Sequence, residues 1–461
     1  MDTLTAVRPA PLIPPAPKVH PRPLGVTPLG QLRIAWEMGR SLIGAYCEED
    51  YDNLVLPYMF MGQPGLFVSD PAGARQILTS PNYLRPVKAA RSLKPLVGEG
   101  VLMSEGETWR RQRKSLAPVF TPAATGGLLP HFVAAGAGLA DALAGRERAN
   151  LAQAFHRATL DAVLRALFSR RADAEGAMLA DLARRYMEGP AHFKLFDFMA
   201  KGADDLTFLD GDRRRMGAQW FKAVDALIEA RRTDPHPDVR DMLDRLLAAR
   251  DEDGAPLPDR EIRDQCSSML AAGFETTSRL LFWATYLLAL DPVTQGRVRA
   301  EVSAFPAKRV TSLDDLKAWP LLRSVLFETL RLYPTAPMIA RQAQAPDTVL
   351  GCEVVPGCMV TISPWVMHRH RKLWEAPTAF RPERFIDHAN PWTLDAFLPF
   401  GAGPRVCIGA GFALAEAQIV LASLLARFEV AMASDRPVIP RASITLGPDH
   451  EPEFVLKPMA F

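Results

Sequence analysis

Phe400-Gly401-Ala402-Gly403-Pro404-Arg405-Val406-Cys407-Ile408-Gly409 stands directly ahead of a strongly apolar run, Ala410 to Phe428. Two glycines and a proline within its first five residues force a tight loop, and the helical pattern begins just past Gly409. The spacing therefore predicts Cys407 at, or immediately before, a helix N-terminus. There the helix dipole and the free backbone N–H groups favour thiolate over thiol, the form a soft metal ion takes as a ligand. Arg405, two residues earlier, offers a planar donor fork to a carboxylate.

Working back along the chain, the next informative stretch is Asp259 to Leu290. Ile262, Cys266, Met269, Gly273, Thr276, Leu280 and Trp283 recur at steps of three and four, so one stripe of a long helix faces inward. Such a helix would run roughly 45 Å, enough to cross a large domain. Its middle reads Ala272-Gly273-Phe274-Glu275-Thr276-Thr277. Gly273 removes a side chain where something must approach closely, and Thr276 falls on the same face. A carboxylate and an alcohol in the middle of a core helix are costly unless they are used.

The cysteine loop resembles the ligand loop of the cytochrome P450 haem-thiolate monooxygenases, which reads Phe-x-x-Gly-x-Arg-x-Cys-x-Gly. Those five fixed residues match by chance about 10⁻⁴ times per chain at average composition, so the resemblance carries weight. It implies that Cys407 is the axial ligand of a haem b (iron protoporphyrin IX), that Phe400 packs beside it and that Arg405 meets a haem propionate. It likewise implies that the Ala-Gly-x-Glu-Thr segment lies over the other face of the haem. On that reading Gly273 lets the cofactor approach, Thr276 holds bound dioxygen and Glu275 relays protons from solvent.

Further segments match in family order. Trp109 and Arg113, four apart in a basic helical stretch, match the family's Trp-x-x-x-Arg and are expected to donate to propionates. Arg341 takes a position where relatives place another such arginine. Glu328 and Arg331 with Arg384 resemble the family's Glu–Arg–Arg triad, a structural network fixing the proline-rich meander between His368 and Gly403. By the same analogy the substrate pocket draws on Pro81 to Val101, Met187 to Phe221, Phe274, Ala336 to Ile339 and the loop near Leu446. Phe193, Phe196, Phe198, Met199 and Met338 would make it apolar.

Composition bounds the alternatives. The 461 residues are 48% apolar and 23% charged, with 54 Lys+Arg against 52 Asp+Glu, a globular balance with no overall drive toward nucleic acid. Five cysteines at scattered spacings argue against a disulfide framework. The first residues show neither a signal-peptide core nor a roughly 20-residue apolar span, so no membrane anchor is expected and a soluble, cytoplasmic monomer is. No hydrolase elbow, phosphate loop or dinucleotide fingerprint occurs, and His368 with His370 is expected to be structural rather than metal-binding.

The expected fold is mainly α (α+β): a large helical lobe with a long central helix and a small β-rich lobe. Eight prolines between Pro9 and Pro28 mark residues 1–30 as an extended lead-in, with 31–461 as a single domain. The stretch after Cys407 is short for a reductase domain, so electrons are expected from a separate ferredoxin or flavodoxin-type partner with an NAD(P)H reductase. The implied reaction is dioxygen-dependent oxidation of an apolar organic substrate such as a fatty acid, terpenoid or aromatic. A peroxide-driven peroxygenase or isomerase, or a non-catalytic haem gas sensor, are the alternative classes.

Overall fold

The computed structural model describes residues 11–459 apart from 22–26, 172–173, 193, 195–196, 198–209, 237, 239–240, 251–253 and 387–390. Its helices are α1 (Pro28–Arg40), α2 (Pro71–Thr79), α3 (Val87–Val97), α4 (Gly106–Leu116), α5 (Pro122–Leu143), α6 (Leu151–Phe168), α7 (Ala174–Glu188), α8 (Gly211–Thr233), α9 (Met242–Ala248), α10 (Asp259–Leu290), α11 (Pro292–Ala304), α12 (Pro320–Leu332), α13 (Pro364–Met367) and α14 (Ala410–Arg427). The strands are β1 (Val55–Phe60), β2 (Gln63–Val68), β3 (Tyr83–Leu84), β4 (Arg148–Ala149), β5 (Ile339–Ala343), β6 (Asp347–Val349), β7 (Cys352–Val354), β8 (Met359–Ile362), β9 (Phe428–Met432), β10 (Pro440–Ala442), β11 (Leu446–Pro448) and β12 (Phe454–Pro458).

Many of the prolines start helices. Thr27-Pro28, Asp70-Pro71, Thr121-Pro122, Asp291-Pro292 and Ser363-Pro364 each place an N-cap side chain that accepts a bond from the first turn, followed by a proline at the first helical position. A missing N–H costs nothing there, and the fixed φ is already helical. α10 keeps the bounds its periodicity predicts, with Asp259 and Glu261 in its first turn against the dipole. It is buried along most of its length and packs on α6, α12, α14 and α8.

The small lobe is a five-stranded sheet in the order β1-β2-β8-β5-β3, in which β2 and β8 run parallel and the other neighbours antiparallel. β1 and β2 form a hairpin, because Met61 and Gly62 both take positive φ (50° and 76°) and reverse the chain. The chain turns at Val355-Pro356-Gly357, with Cys358 N–H donating to Val355 O at 3.0 Å. It does not join paired strands: β7 pairs with β6, whereas β8 enters the large sheet.

Residues 11–21 of the lead-in are docked on the domain: Phe380 N–H donates to Leu12 O at 2.8 Å and the Tyr333 hydroxyl to Pro15 O at 3.0 Å. Two helical stretches, 122–143 and 403–427, are long and apolar enough to cross a membrane by length and composition; in this fold they pack against each other. All five cysteines are free.

Candidate active site

One cavity of about 490 Å³ lies between α10, the Cys407 loop and the small lobe, and it gathers most of the residues singled out from sequence. Cys407 N–H donates to Phe400 O at 3.0 Å and closes the loop on itself. Gly401 and Gly403 hold φ of 72° and 69°, and a Cβ on Gly403 would lie 2.4 Å from Leu78 O. Only glycine permits that approach to α2. The Cys407 side chain opens onto the cavity, three residues ahead of α14.

The free thiol is not pre-ionised as the helix-terminus argument expected. Burial pushes the Cys407 thiol up, and neither the Gly409 N–H nor the nearby Arg113 charge offsets it. Deprotonation is left to whatever cation binds there, as a coordinated metal removes a thiol proton outright.

Around one edge of the same cavity stand Arg85, Arg113, Arg341 and Arg405, with Glu105 as their carboxylate neighbour. Arg405 pairs with Glu105 and lies over the Trp109 ring, its carbon 4.4 Å from the centroid. Arg341 donates to Ala340 O at 2.9 Å and Arg85 to Leu102 O. All four guanidinium groups are held below their ordinary pKa, first by burial and, for Arg85 (pushed down to about 10) and Arg341, by the Arg405 charge. Arg405 Nη1 is buried with no hydrogen-bond partner among the described residues. Four cations against one carboxylate call for a ligand with two or more negative charges at that edge. A soft thiol in the floor, an apolar body and a cationic rim fit haem. Arg85 is the rim residue that sequence reasoning missed.

The roof is α10. Ala272, Gly273 and Thr276 are its half-exposed mid-helix positions, and it is the cavity that they face. Thr276 donates its hydroxyl to Ala272 O at 2.8 Å. Gly273 serves a second purpose, since a Cβ there would meet Val163 at 3.0 Å and push α6 away.

Glu275 is turned from the cavity. It is 1% exposed, and His156 Nε2 lies 2.7 Å away, Arg279 Nε 2.9 Å and the Thr445 hydroxyl 3.2 Å. Burial alone would push its carboxyl up, but the Arg279 guanidinium and His156 hold it well below the usual carboxylate range. Both of its carboxylate oxygens are engaged in this cluster and neither faces the cavity. Its geometry instead clamps α6 and the 443–446 loop, whose Ser443 and Ile444 line the cavity, onto α10.

Among the expected pocket segments, Arg85, Leu93, Val101, Met338, Ile339 and Ile444 line the cavity. Phe274 is fully buried and its carbonyl accepts from Thr159, so it packs on α6 instead. None of the described residues between Met187 and Phe221 lines it, and Phe193, Phe196, Phe198 and Met199 lie outside the described residues.

Beneath the loop, Glu328 and Arg331 meet at 2.7 Å with both side chains fully buried, and Arg384 reaches Glu328 at 3.3 Å. His368 accepts Leu398 N–H on Nε2 at 2.9 Å, the structural role expected of it.

Comparison with known proteins adds an independent line. The family model described as Cytochrome P450 matches residues 17–453. The chain is 31% identical over 410 residues to a cytokinin hydroxylase of Arabidopsis thaliana, covering 86% of this chain and 79% of that one. It is 30% identical over 370 residues to a cyclooctatin synthase of Streptomyces melanosporofaciens, covering 79% and 80%. The crystal structure of the cytochrome P450 CYP102L1 superposes with a TM-score of 0.76 at 25% identity, covering 97% of this chain and 100% of that one.

Proposed function

Because the chain belongs to the cytochrome P450 family, whose members are haem-dependent monooxygenases, we propose that it binds haem b through Cys407 and oxidises an apolar organic substrate. The observation that carries this is the coincidence, on one cavity, of an accessible thiol and four guanidinium groups at one edge. Arg85, Arg113, Arg341 and Arg405 would hold the two propionates, and Trp109 and Phe400 would pack on the cofactor's flanks. When bound, the thiolate-ligated haem supplies dioxygen activation.

The protein's own residues do the rest. Leu93, Val101, Val163, Leu167, Met269 and Ile444 give the upper cavity an apolar wall, which favours a hydrocarbon-rich guest and excludes bulk water from it. Thr276 presents the alcohol that faces the reacting space and is positioned to hand on protons. Electrons come from a separate ferredoxin or flavodoxin-type chain driven by NAD(P)H, and the protein works as a soluble, cytoplasmic enzyme. Product formation requiring NAD(P)H, redox proteins and dioxygen tests the reading; product from peroxide alone would favour a peroxygenase.

Two outcomes follow. Arg85→Gln, which removes one charged hydrogen-bond donor worth about 1.5–3 kcal/mol, should weaken haem retention by about 10–100-fold. Competition for haem against apomyoglobin measures it. Thr276→Ala should leave NAD(P)H consumption nearly unchanged while product per electron falls at least about tenfold and hydrogen peroxide rises.

A further inference from the structure

Asp264 and Gln265 on α10 are buried polar side chains, 2% and 1% exposed, that do not line the cavity. Both accept from the backbone of the segment that joins α3 to α4. Glu99 N–H donates to Asp264 Oδ2 at 2.9 Å, and Val101 N–H donates to Gln265 Oε1 at 3.0 Å. The Gln265 amide nitrogen is buried with no hydrogen-bond partner among the described residues, so the oxygen is the atom the fold uses. Two glycines let the segment come this close. Gly98 holds a φ of 59°, and a Cβ there would lie 2.2 Å from the Asp264 carboxyl carbon; on Gly100 it would lie 2.3 Å from Asp264 O.

Further bonds brace the same segment. Met103 and Ser104 N–H turn back on Gly100 O at 2.8 and 2.9 Å. Gln112 of α4 donates to Glu99 O at 3.1 Å while its own oxygen accepts from the Ser104 hydroxyl at 2.6 Å, and Leu102 O accepts from Arg85. Displacing the segment would leave buried donors unpaired, so it resists movement. It carries Val101, Leu102 and Met103, which line the cavity. α3, whose Ser92 and Leu93 line it too, is anchored in turn. Arg91 meets Asp197 at 3.1 Å and Asp210 at 2.6 Å, Arg213 of α8 meets the same two carboxylates at 2.7 and 3.2 Å, and all four side chains are buried. Gln265 lies four residues before Met269 and eight before Gly273, so the stripe of α10 that roofs the cavity also grips its side wall.

We propose that Asp264 and Gln265 are positioning residues that set which guests the cavity admits by holding the Gly98–Ser104 wall against α10. They touch no guest themselves. With either acceptor gone, a loop N–H is left buried and unpaired, the segment draws away from α10, and Val101 to Met103 shift relative to the roof that carries Thr276. A bulky guest feels that shift, whereas one too small to reach the wall does not. Because Leu102 O holds Arg85, the same displacement loosens one guanidinium of the rim. The proposal rests on the haem-thiolate reading for its ligand-binding arm and is independent of it for the hydrogen-exchange arm.

The test compares wild-type holoenzyme with Gln265→Leu, Asp264→Leu, Asp264→Asn and Leu281→Ala. The two leucine variants each remove an acceptor, and Asp264→Asn keeps an oxygen for Glu99 N–H. Leu281→Ala empties buried volume about four turns further along α10 and stands for general destabilisation. Amide hydrogen exchange within residues 98–104 should quicken at least about tenfold in the leucine variants, and stay within about threefold of wild type in Asp264→Asn. In Leu281→Ala it should rise no more there than elsewhere. Spectral titration with imidazole and 1-phenylimidazole, both ligands of haem iron, should show the ratio of their dissociation constants changed at least about threefold in the leucine variants. The affinity for imidazole itself and the carbon monoxide spectrum should be retained. Unchanged exchange in the segment, loosening no greater than in Leu281→Ala, or loosening that leaves the ratio as in wild type overturns the proposal. A wild type without a thiolate spectrum marks failure of the underlying reading instead, and the exchange arm then decides whether the two side chains hold the wall.

Discussion

Cys407→Ser should abolish the thiolate signature of the reduced, carbon monoxide-bound enzyme and lower monooxygenase turnover by at least about 10³-fold, on the order of 4 kcal/mol of barrier. A serine hydroxyl is nearly isosteric, and the Cys407 N–H bond to Phe400 O that closes the loop is made by backbone, so the fold is preserved. What is lost is a soft, polarisable ligand whose electron density promotes cleavage of the O–O bond. The four guanidinium groups remain, so the variant should still take up haem, and this separates ligation from binding. Retention of an unchanged spectrum in Cys407→Ser would show that another side chain holds the iron.

How much of this was legible in the sequence follows from the range of the interactions. The Cys407 loop is legible because its determinants are local: two positive-φ glycines, a proline and a cap within ten residues. The bounds of α10 are legible because a 32-residue helix carries many repeats of its period. Glu275 was assigned the wrong surroundings because its partners, His156 and Thr445, stand 119 and 170 residues away, and nothing in Ala-Gly-x-Glu-Thr announces them. Arg85 becomes a rim residue only when β3 brings it beside Arg341 and Arg405, which no periodicity encodes.

Arg331→Met should destabilise the fold by about 3–5 kcal/mol, because it leaves the Glu328 carboxylate buried without its fully buried partner. The guanidinium uses every donor it has. Nε and Nη2 grip Glu328 at 2.7 Å each, Nη1 donates to His368 O at 2.8 Å and Pro377 O at 2.6 Å, and Nη2 also reaches Ala379 O at 2.9 Å. Arg331→Lys, with a point charge and no fork, should therefore recover little of the loss. Removing both charges, in Glu328→Gln with Arg331→Met, should cost less than the sum of the two single changes. Urea midpoints at constant slope measure all of these.

The damage should reach the thiol. Arg331 holds the His368 carbonyl, the His368 ring accepts Leu398 N–H at 2.9 Å, and Leu398 O accepts Gly401 N–H at 3.2 Å inside the Cys407 loop. That chain requires a neutral imidazole, and burial, reinforced by Arg331 and Arg369, pushes His368 down to about 3. Since an unfolded histidine protonates near pH 6.5, stability from this group is complete above that value and is lost as pH falls toward 3. Arg331→Met removes one of the two cations that depress it. Acidification should then protonate His368 at a higher pH, free Leu398 N–H, and convert the thiolate spectrum to its inactive form at a pH where the wild type keeps it. An unchanged acid transition in the variant would break the link between the triad and the loop.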